Sequence, residues 1–279
     1  MKQLTVTGTL LKGLVLASLL TGCQNDDVVT QNSQSGVMTN DRNAKTIFTP
    51  QLIKEGANEL EYFGDYDLNR GKLKKLTNLP DGTYTEYQYN GQTIVAQRRK
   101  ISTNALVYQV TYQLDASGRC VESLSTETNK PLKYEYGQLG RLVKVYNKNN
   151  SNERMEFQYA QNNAPLLNQI NFFDQANTPT KEITYNYSVQ AGGQLENKYP
   201  TNPDALGTTS KYLPLFGVFH SNLPTLEGIK SLPWNGAPFP GNALTYSVNS
   251  GGYVKTIIAI STMTNSTIFT SRTYTTSKL

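Results

Sequence analysis

The chain has 279 residues, 37% hydrophobic and 17% charged, with an aromatic set dominated by tyrosine: 18 Tyr against 9 Phe and one Trp. That is too apolar for an unfolded chain and enough for one large or two small domains with a core. One His and two Cys exclude a Cys/His zinc cluster, a disulfide framework and an iron–sulfur site, while the formal charge of +5 raises the question of nucleic acid.

Residues 1–22 have the form of a secretory signal. Lys2 and Lys12 precede an apolar run from Leu14 to Leu20 that is too short to stay in a bilayer as a helix. The segment ends Leu20-Thr21-Gly22-Cys23, which resembles a bacterial lipobox and implies lipid attachment at Cys23. Cleavage there removes two lysines and no acids, so Lys+Arg falls from 26 to 24 against 21 Asp+Glu and the charge falls to +3. Cys120 is then the one remaining thiol. Gln24 at the second mature position resembles outer-membrane sorting. Asp26 and Asp27 either resemble the acidic export signal of Bacteroidetes-type surface lipoproteins or simply begin a solvated tether. Residues 23–45 are predicted to be this lipidated, disordered tether, in which about 20 polar residues reach roughly 25 Å.

Residues 46–279 are predicted to be a single β-repeat domain. The tyrosines closing successive strands are Tyr66, Tyr89, Tyr112, Tyr136, Tyr159 and Tyr187, separated by 23, 23, 24, 23 and 28 residues. Period-two strands such as TYTEYQY (83–89), LKYEY (132–136) and KEITYNY (181–187) lead into Gly/Asn/Asp-rich turns and then aliphatic strands ending at Leu195, the pattern of antiparallel hairpins. Tyr87, Tyr89, Tyr134, Tyr136, Phe157, Tyr159, Ile183, Tyr185 and Tyr187 share one parity. Glu86, Gln88, Glu135, Glu156, Gln158, Thr184 and Asn186 share the other. The sheet therefore has an aromatic face and a polar face, the former read as a packing ladder and alternatively as a platform for sugar rings.

These units, best seen in YEYGQLGRLVKVYNKNN (134–150), resemble YD/RHS-type repeats, although Tyr66-Asp67 is the only unit keeping the aspartate. The whole order, including NLPT (222–225) and the last hairpin LTYSVNSGGYVKTIIAI (244–260), looks like Bacteroidetes lipoproteins of unknown function with a porin-like antiparallel fold. The resemblance implies architecture and an outer-membrane, cell-surface location, with a periplasm-facing orientation as the alternative. Five or six units are too few for the shell of an RHS toxin, and no toxin function is implied. The fold class is all-β: an extended, curved antiparallel meander whose closure into a barrel is left open.

Residues 199–242 interrupt the period with seven of the 12 prolines, the histidine and the tryptophan. This segment is predicted to be irregular and packed on the sheet, with YLPLFGVF (212–219) as a plug. In the other reading Tyr212, Trp234 and Phe239 wall a ligand pocket.

The chemistry-bearing residues are sparse. No G-x-S-x-G accompanies His220, which reads as structural, and no phosphate-binding glycine loop is present. Glu86, Glu135 and Glu156 read as a solvated face, with a glycosidase pair as the minority reading. Lys72, Lys74, Lys75, Arg98, Arg99 and Lys100 read as edge-strand charges. Too dispersed for nucleic acid, they leave a non-enzymatic envelope lipoprotein, without metal or cofactor, that binds a glycan or protein partner. A lipid or lipoprotein carrier and a glycoside-active enzyme are the alternatives, and the oligomeric state is left open.

Overall fold

The computed structural model describes residues 50–160, 165–188, 194–233, 236 and 240–275; Cys23, Asp26, Asp27, Trp234 and Phe239 lie outside these residues. The described chain forms β1 (Leu52–Glu55), β2 (Asn58–Tyr62), β3 (Leu73–Asn78), β4 (Thr83–Asn90), β5 (Thr93–Lys100), β6 (Leu106–Leu114), β7 (Cys120–Ser125) and β8 (Pro131–Tyr136). It continues through β9 (Leu142–Asn147), β10 (Asn150–Tyr159), β11 (Leu167–Phe173), β12 (Pro179–Asn186), β13 (Leu226–Ser231), β14 (Gly241–Val248), β15 (Val254–Ser261) and β16 (Thr267–Tyr274). Each strand pairs with its sequence neighbours, and β1 pairs with β16, so the antiparallel meander closes into a barrel.

Closure corrects one expectation directly. None of the sixteen described strands is an edge, so the clustered cations guard no edge of this sheet. Lys75 stands opposite Glu86 on the outer wall. Arg98 contacts Asp81 at 2.6 Å and Thr208 at 2.7 Å.

The parity read from the sequence becomes inside and outside. Tyr87, Tyr112, Tyr134, Phe157, Ile170 and Ile183 are buried in the interior. The outer wall carries cross-strand charge pairs: Glu61 and Glu86 flank Lys75, Glu122 faces Lys133, Glu135 and Glu156 flank Lys144, and Glu182 faces Lys230. Opposite charges directly across an antiparallel pair favour that register, because the facing side chains lie within contact distance.

The tyrosine repeat has a specific physical cause. At the rim where even-numbered strands end, most odd–even pairs separate before their ladders are complete. The pairing of β3 with β4 stops at Lys75 opposite Glu86, that of β9 with β10 at Lys144 opposite Glu156, and that of β11 with β12 at Gln169 opposite Thr184. Each separation leaves a carbonyl without its ladder donor, and a tyrosine hydroxyl supplies one. Tyr62, Tyr89, Tyr136, Tyr159, Tyr187 and Tyr246 donate to the carbonyls of Leu52, Leu73, Cys120, Leu142, Leu167 and Pro224 at 2.7–3.0 Å. The ladder of β5 and β6 instead continues to Thr93 opposite Gln113. Tyr112 is thereby released to bond the hydroxyls of Thr209 and Ser210.

This rule re-indexes the repeat. Tyr66, taken from the sequence as the first member, is fully exposed beyond β2, and Tyr62 holds its structural place. The G-[RK]-L element, with Cys120 in place of Leu in one unit, acquires a role as well. In Gly71-Lys72-Leu73, Gly118-Arg119-Cys120 and Gly140-Arg141-Leu142 the cation lies 4.8, 4.9 and 5.5 Å from the ring centre of Tyr89, Tyr136 and Tyr159. Gly118 and Gly140 have φ of 79° and 67°, which a side chain would strain. Replacing Tyr159 with Phe keeps the ring and orphans the Leu142 carbonyl. The expected cost is about 1–3 kcal/mol, seen as a fall of roughly 2–10 °C in Tm, whereas a shift under 1 °C would contradict the bridging role.

Barrels of this strand number enclose more space than one layer of side chains fills. Residues 199–225 fill it. Leu213, Phe216 and Phe219 are at most 1% exposed, with Phe216 packed on Tyr112 and Tyr134 and Phe219 on Phe157. The plug also bonds the wall through its backbone: Cys120 N–H donates to Leu215 O at 2.9 Å and Leu167 N–H to Phe219 O at 2.8 Å. It lies inside the barrel rather than on a sheet face. The sequence assigned all of 199–242 to this excursion, yet 226–231 is β13, and it pairs in full with β12. The outgoing strand expected at Leu195 is replaced by an isolated bridge between Glu196 and Asn222.

Candidate functional site

Between the plug and the wall formed by β12–β16 and β1 lies a cavity of about 180 Å³. Its charged members come from distant parts of the chain: Glu55 on β1, Asp204 and Lys211 on the plug, Glu227 on β13 and Arg272 on β16. Tyr185, Tyr246 and His220 supply ring surface.

On one side the charges are matched. Arg272 donates to Glu55 Oε1 through Nε at 2.7 Å and Nη2 at 2.6 Å, and the Tyr212 hydroxyl donates to Glu55 Oε2 at 2.6 Å. Lys211 Nζ lies 3.6 Å from Glu55 and 3.1 Å from Asp204. Burial alone would raise the Glu55 carboxyl, but Arg272, Lys211 and Tyr212 together hold it below the ordinary carboxylate range. This cluster joins the first strand to the last and to the plug.

The other side is matched more loosely. Glu227 accepts hydrogen bonds from Asn242 and Tyr185 and is attracted by Lys211. Burial, with Asp204 nearby, pushes its carboxyl above the usual range. Asn197 Oδ1, in the same lining, is buried without a hydrogen-bond partner.

His220 is buried, its Nδ1 bonded to the Tyr187 hydroxyl and its ring against Tyr185. Burial lowers its pKa to about 3, so the imidazole is neutral at physiological pH. Cys120 is fully buried and burial pushes its thiol up, which removes thiolate reactivity.

The residues singled out from the sequence do not converge here. Tyr212 lies in the buried cluster beside Glu55 and Asn58, while its two expected partners lie outside the described residues. Glu86 is separated from Glu135 by β5, β6 and β7, and Glu135 from Glu156 by Lys144. No group of three His, Cys, Asp or Glu suited to a metal occurs among the described residues. The cavity charges were missed because they belong to no motif. The one signal available was a charge at the aromatic parity, as with Glu227 in LEGIKS and Arg272 in TIFTSRTY.

No protein-family model matches the chain, and no curated protein matches it. Among solved structures it is similar to a porin-like protein from Bacteroides uniformis ATCC 8492, at 14% identity over 81% of this chain and 93% of that one, with a TM-score of 0.53. The fold is porin-like. A second porin-like protein, from Bacteroides vulgatus ATCC 8482, matches at 17% identity over 78% of this chain and 92% of that one, with a TM-score of 0.49. In this porin-like barrel the plug fills most of the interior, and the outer wall carries cross-strand charge pairs on β2–β4, β7–β10 and β12–β13.

Proposed function

We propose that the protein is a cell-envelope lipoprotein, anchored through lipid on Cys23 at the outer membrane and displayed at the cell surface with Asp26 and Asp27 as the export signal, that acts without catalysis as a binding module for a glycan or protein partner. The observation that carries this reading is the inverted polarity of the barrel. A barrel that crosses a bilayer needs an apolar belt around its whole outside and, to conduct, a polar lumen. Here the outside carries paired Glu and Lys, and the inside is aromatic and plugged. Thr245, Ile258, Ile260 and Phe269 form a charge-free patch on the outside of β14–β16, which covers a fraction of the circumference. Such a barrel depends on an external anchor to stay at a membrane.

The same filling removes the open aromatic concavity that a lipid carrier would use, since Tyr87, Tyr112 and Tyr134 are covered by plug residues. Replacing Cys23 with Ala should move the protein from the membrane pellet to the soluble fraction and abolish labelling by a fatty-acid analogue. Retention of the variant in the pellet after carbonate washing would show that the strands themselves hold it in the bilayer. The binding role is tested by glycan-array and pull-down screens beside a hydrolase panel, where blank screens with a positive panel would defeat it.

A further inference from the structure

We infer that the part of β16 extending past the β1–β2 turn is a docking site for an extended strand of a partner protein. The inference rests on the reading of the barrel as a membrane-anchored binding module and gives that module a class of partner and a mode of contact. On the side facing β1, β16 is paired from Arg272 to Tyr274, and the bond from Gly56 N–H to Ser271 O at 2.7 Å ends the contact. The chain then turns into β2, so Thr267–Thr270, about 13 Å of strand, overhang the turn. Their other side is paired with β15, from Ile260 opposite Thr267 to Ile257 opposite Thr270. Ser266 O accepts from Ser261 N–H on the β15 side, and Ser271 O accepts from Gly56 on the β1 side. Alternation therefore turns the backbone groups of Thr267 and Phe269 toward the open side. Two N–H and two C=O groups stand there without a partner among the described residues.

The side chains agree with the backbone. Ile268 and Phe269 are 62% and 69% exposed on opposite faces of the overhang, with Ile260 and Met263 exposed near them. Proteins protect a free strand edge with a charge, a proline or a bulge. Residues 261–271 contain no charge and no proline, and the ladder with β15 runs without a register shift. At β10, by contrast, the segment before Arg154 carries Glu153, and Asn150 Nδ2 donates to the Gln175 carbonyl at 3.2 Å. A peptide strand supplies donors and acceptors at the ladder spacing and side chains on both faces at once; an acyl chain has no donors, and a sugar lacks that spacing. A second copy fits less well. Two such edges paired about a two-fold axis run antiparallel, so the two Gln51 ends, bonded to Thr275 past the far end of β16, face away from each other. Chains anchored through their N-termini to one membrane share one direction instead.

The probe is a fluorescent synthetic peptide of the β15 sequence, VKTIIAIS, which already pairs with β16 on its other edge. Its anisotropy is titrated with the purified full chain. The control peptide is N-methylated from Thr256 to Ile260, which keeps every side chain and removes the donors. The expected result is saturable binding of the first peptide alone, with a Kd below about 1 mM. Thr267→Pro should weaken it at least tenfold at an unchanged Tm, because the lost N–H bonds nothing within the barrel and proline is accepted at the first residue of a strand. Phe269→Lys, which places a charge on the edge, should weaken it several-fold and serves if the first variant does not fold. Absence of saturable binding, equal binding of the N-methylated peptide, or undiminished binding by a folded Thr267→Pro variant overturns the inference. A concentration-dependent dimer of the parent that Thr267→Pro abolishes also overturns it, by making a second copy the occupant. A blank peptide titration alongside a positive glycan array removes the strand site and leaves the binding-module reading standing.

Discussion

Replacing Glu55 with Ala should cost about 3–5 kcal/mol of unfolding free energy, the penalty for leaving a buried charge without its partner. Glu55 and Arg272 side chains are each 6% exposed and joined by two short charge-assisted bonds. They stand opposite each other in the pairing of β1 with β16, the one ladder that brings together strands from the two ends of the described chain. Removing the carboxylate strands Arg272 and takes from Lys211 one of its two acids. The loss therefore falls on the seam that closes the barrel. A Glu55→Leu, Arg272→Met pair should recover much of the stability, because it removes both desolvated charges together. Urea unfolding midpoints of the two variants decide the matter. A Glu55→Ala variant within 1 kcal/mol of the parent would mean that the seam is held by its backbone ladder alone.

The second large effect is in acid. His220 is neutral and buried in the folded protein with a pKa near 3, against 6.5 for an ordinary histidine. Below pH 6.5 the unfolded chain binds a proton that the folded chain refuses, so stability is full above that pH and declines as the pH falls toward 3. At about 1.4 kcal/mol per pH unit the loss is on the order of 2 kcal/mol by pH 5 and about 4 kcal/mol near pH 3. Glu55, held below its ordinary range, adds a loss in the same direction as the pH falls below about 4.5. Glu227, held above its range, acts in the opposite sense and gains as it protonates. Unfolding midpoints measured from pH 7.5 to 5 should show this slope in the parent and a shallower one in His220→Gln, whatever that variant's stability at pH 7. Equal slopes would remove the histidine as the cause.

Both effects lie where sequence reasoning was weakest. Tyr87, Tyr134 and Phe157 could be placed on one face because a strand alternates sides with every residue, and that alternation survives any choice of sheet partners. The plug could be recognised in YLPLFGVF because so apolar a run, broken by proline, must be buried without joining a ladder. The tyrosine repeat was visible as a period, but its cause was not. The 23-residue spacing to Tyr89 favours Tyr66 over Tyr62, and only the separation of β1 from β2 at the rim shows which hydroxyl has a carbonyl to bridge.

The amino-acid sequence by itself determined the all-β class, the hairpin order, the two-faced strands and the existence of a plug, because each follows from periodicity and backbone chemistry over a few neighbouring residues. Whether the sheet closes, that its aromatic face turns inward around residues 199–225, and that Glu55, Lys211, Glu227 and Arg272 meet were decided only by the tertiary structure. Those facts depend on strand twist, on the register of β1 against β16 and on contacts spanning more than 200 residues, 217 for the Glu55–Arg272 bond. No local pattern carries information across that distance.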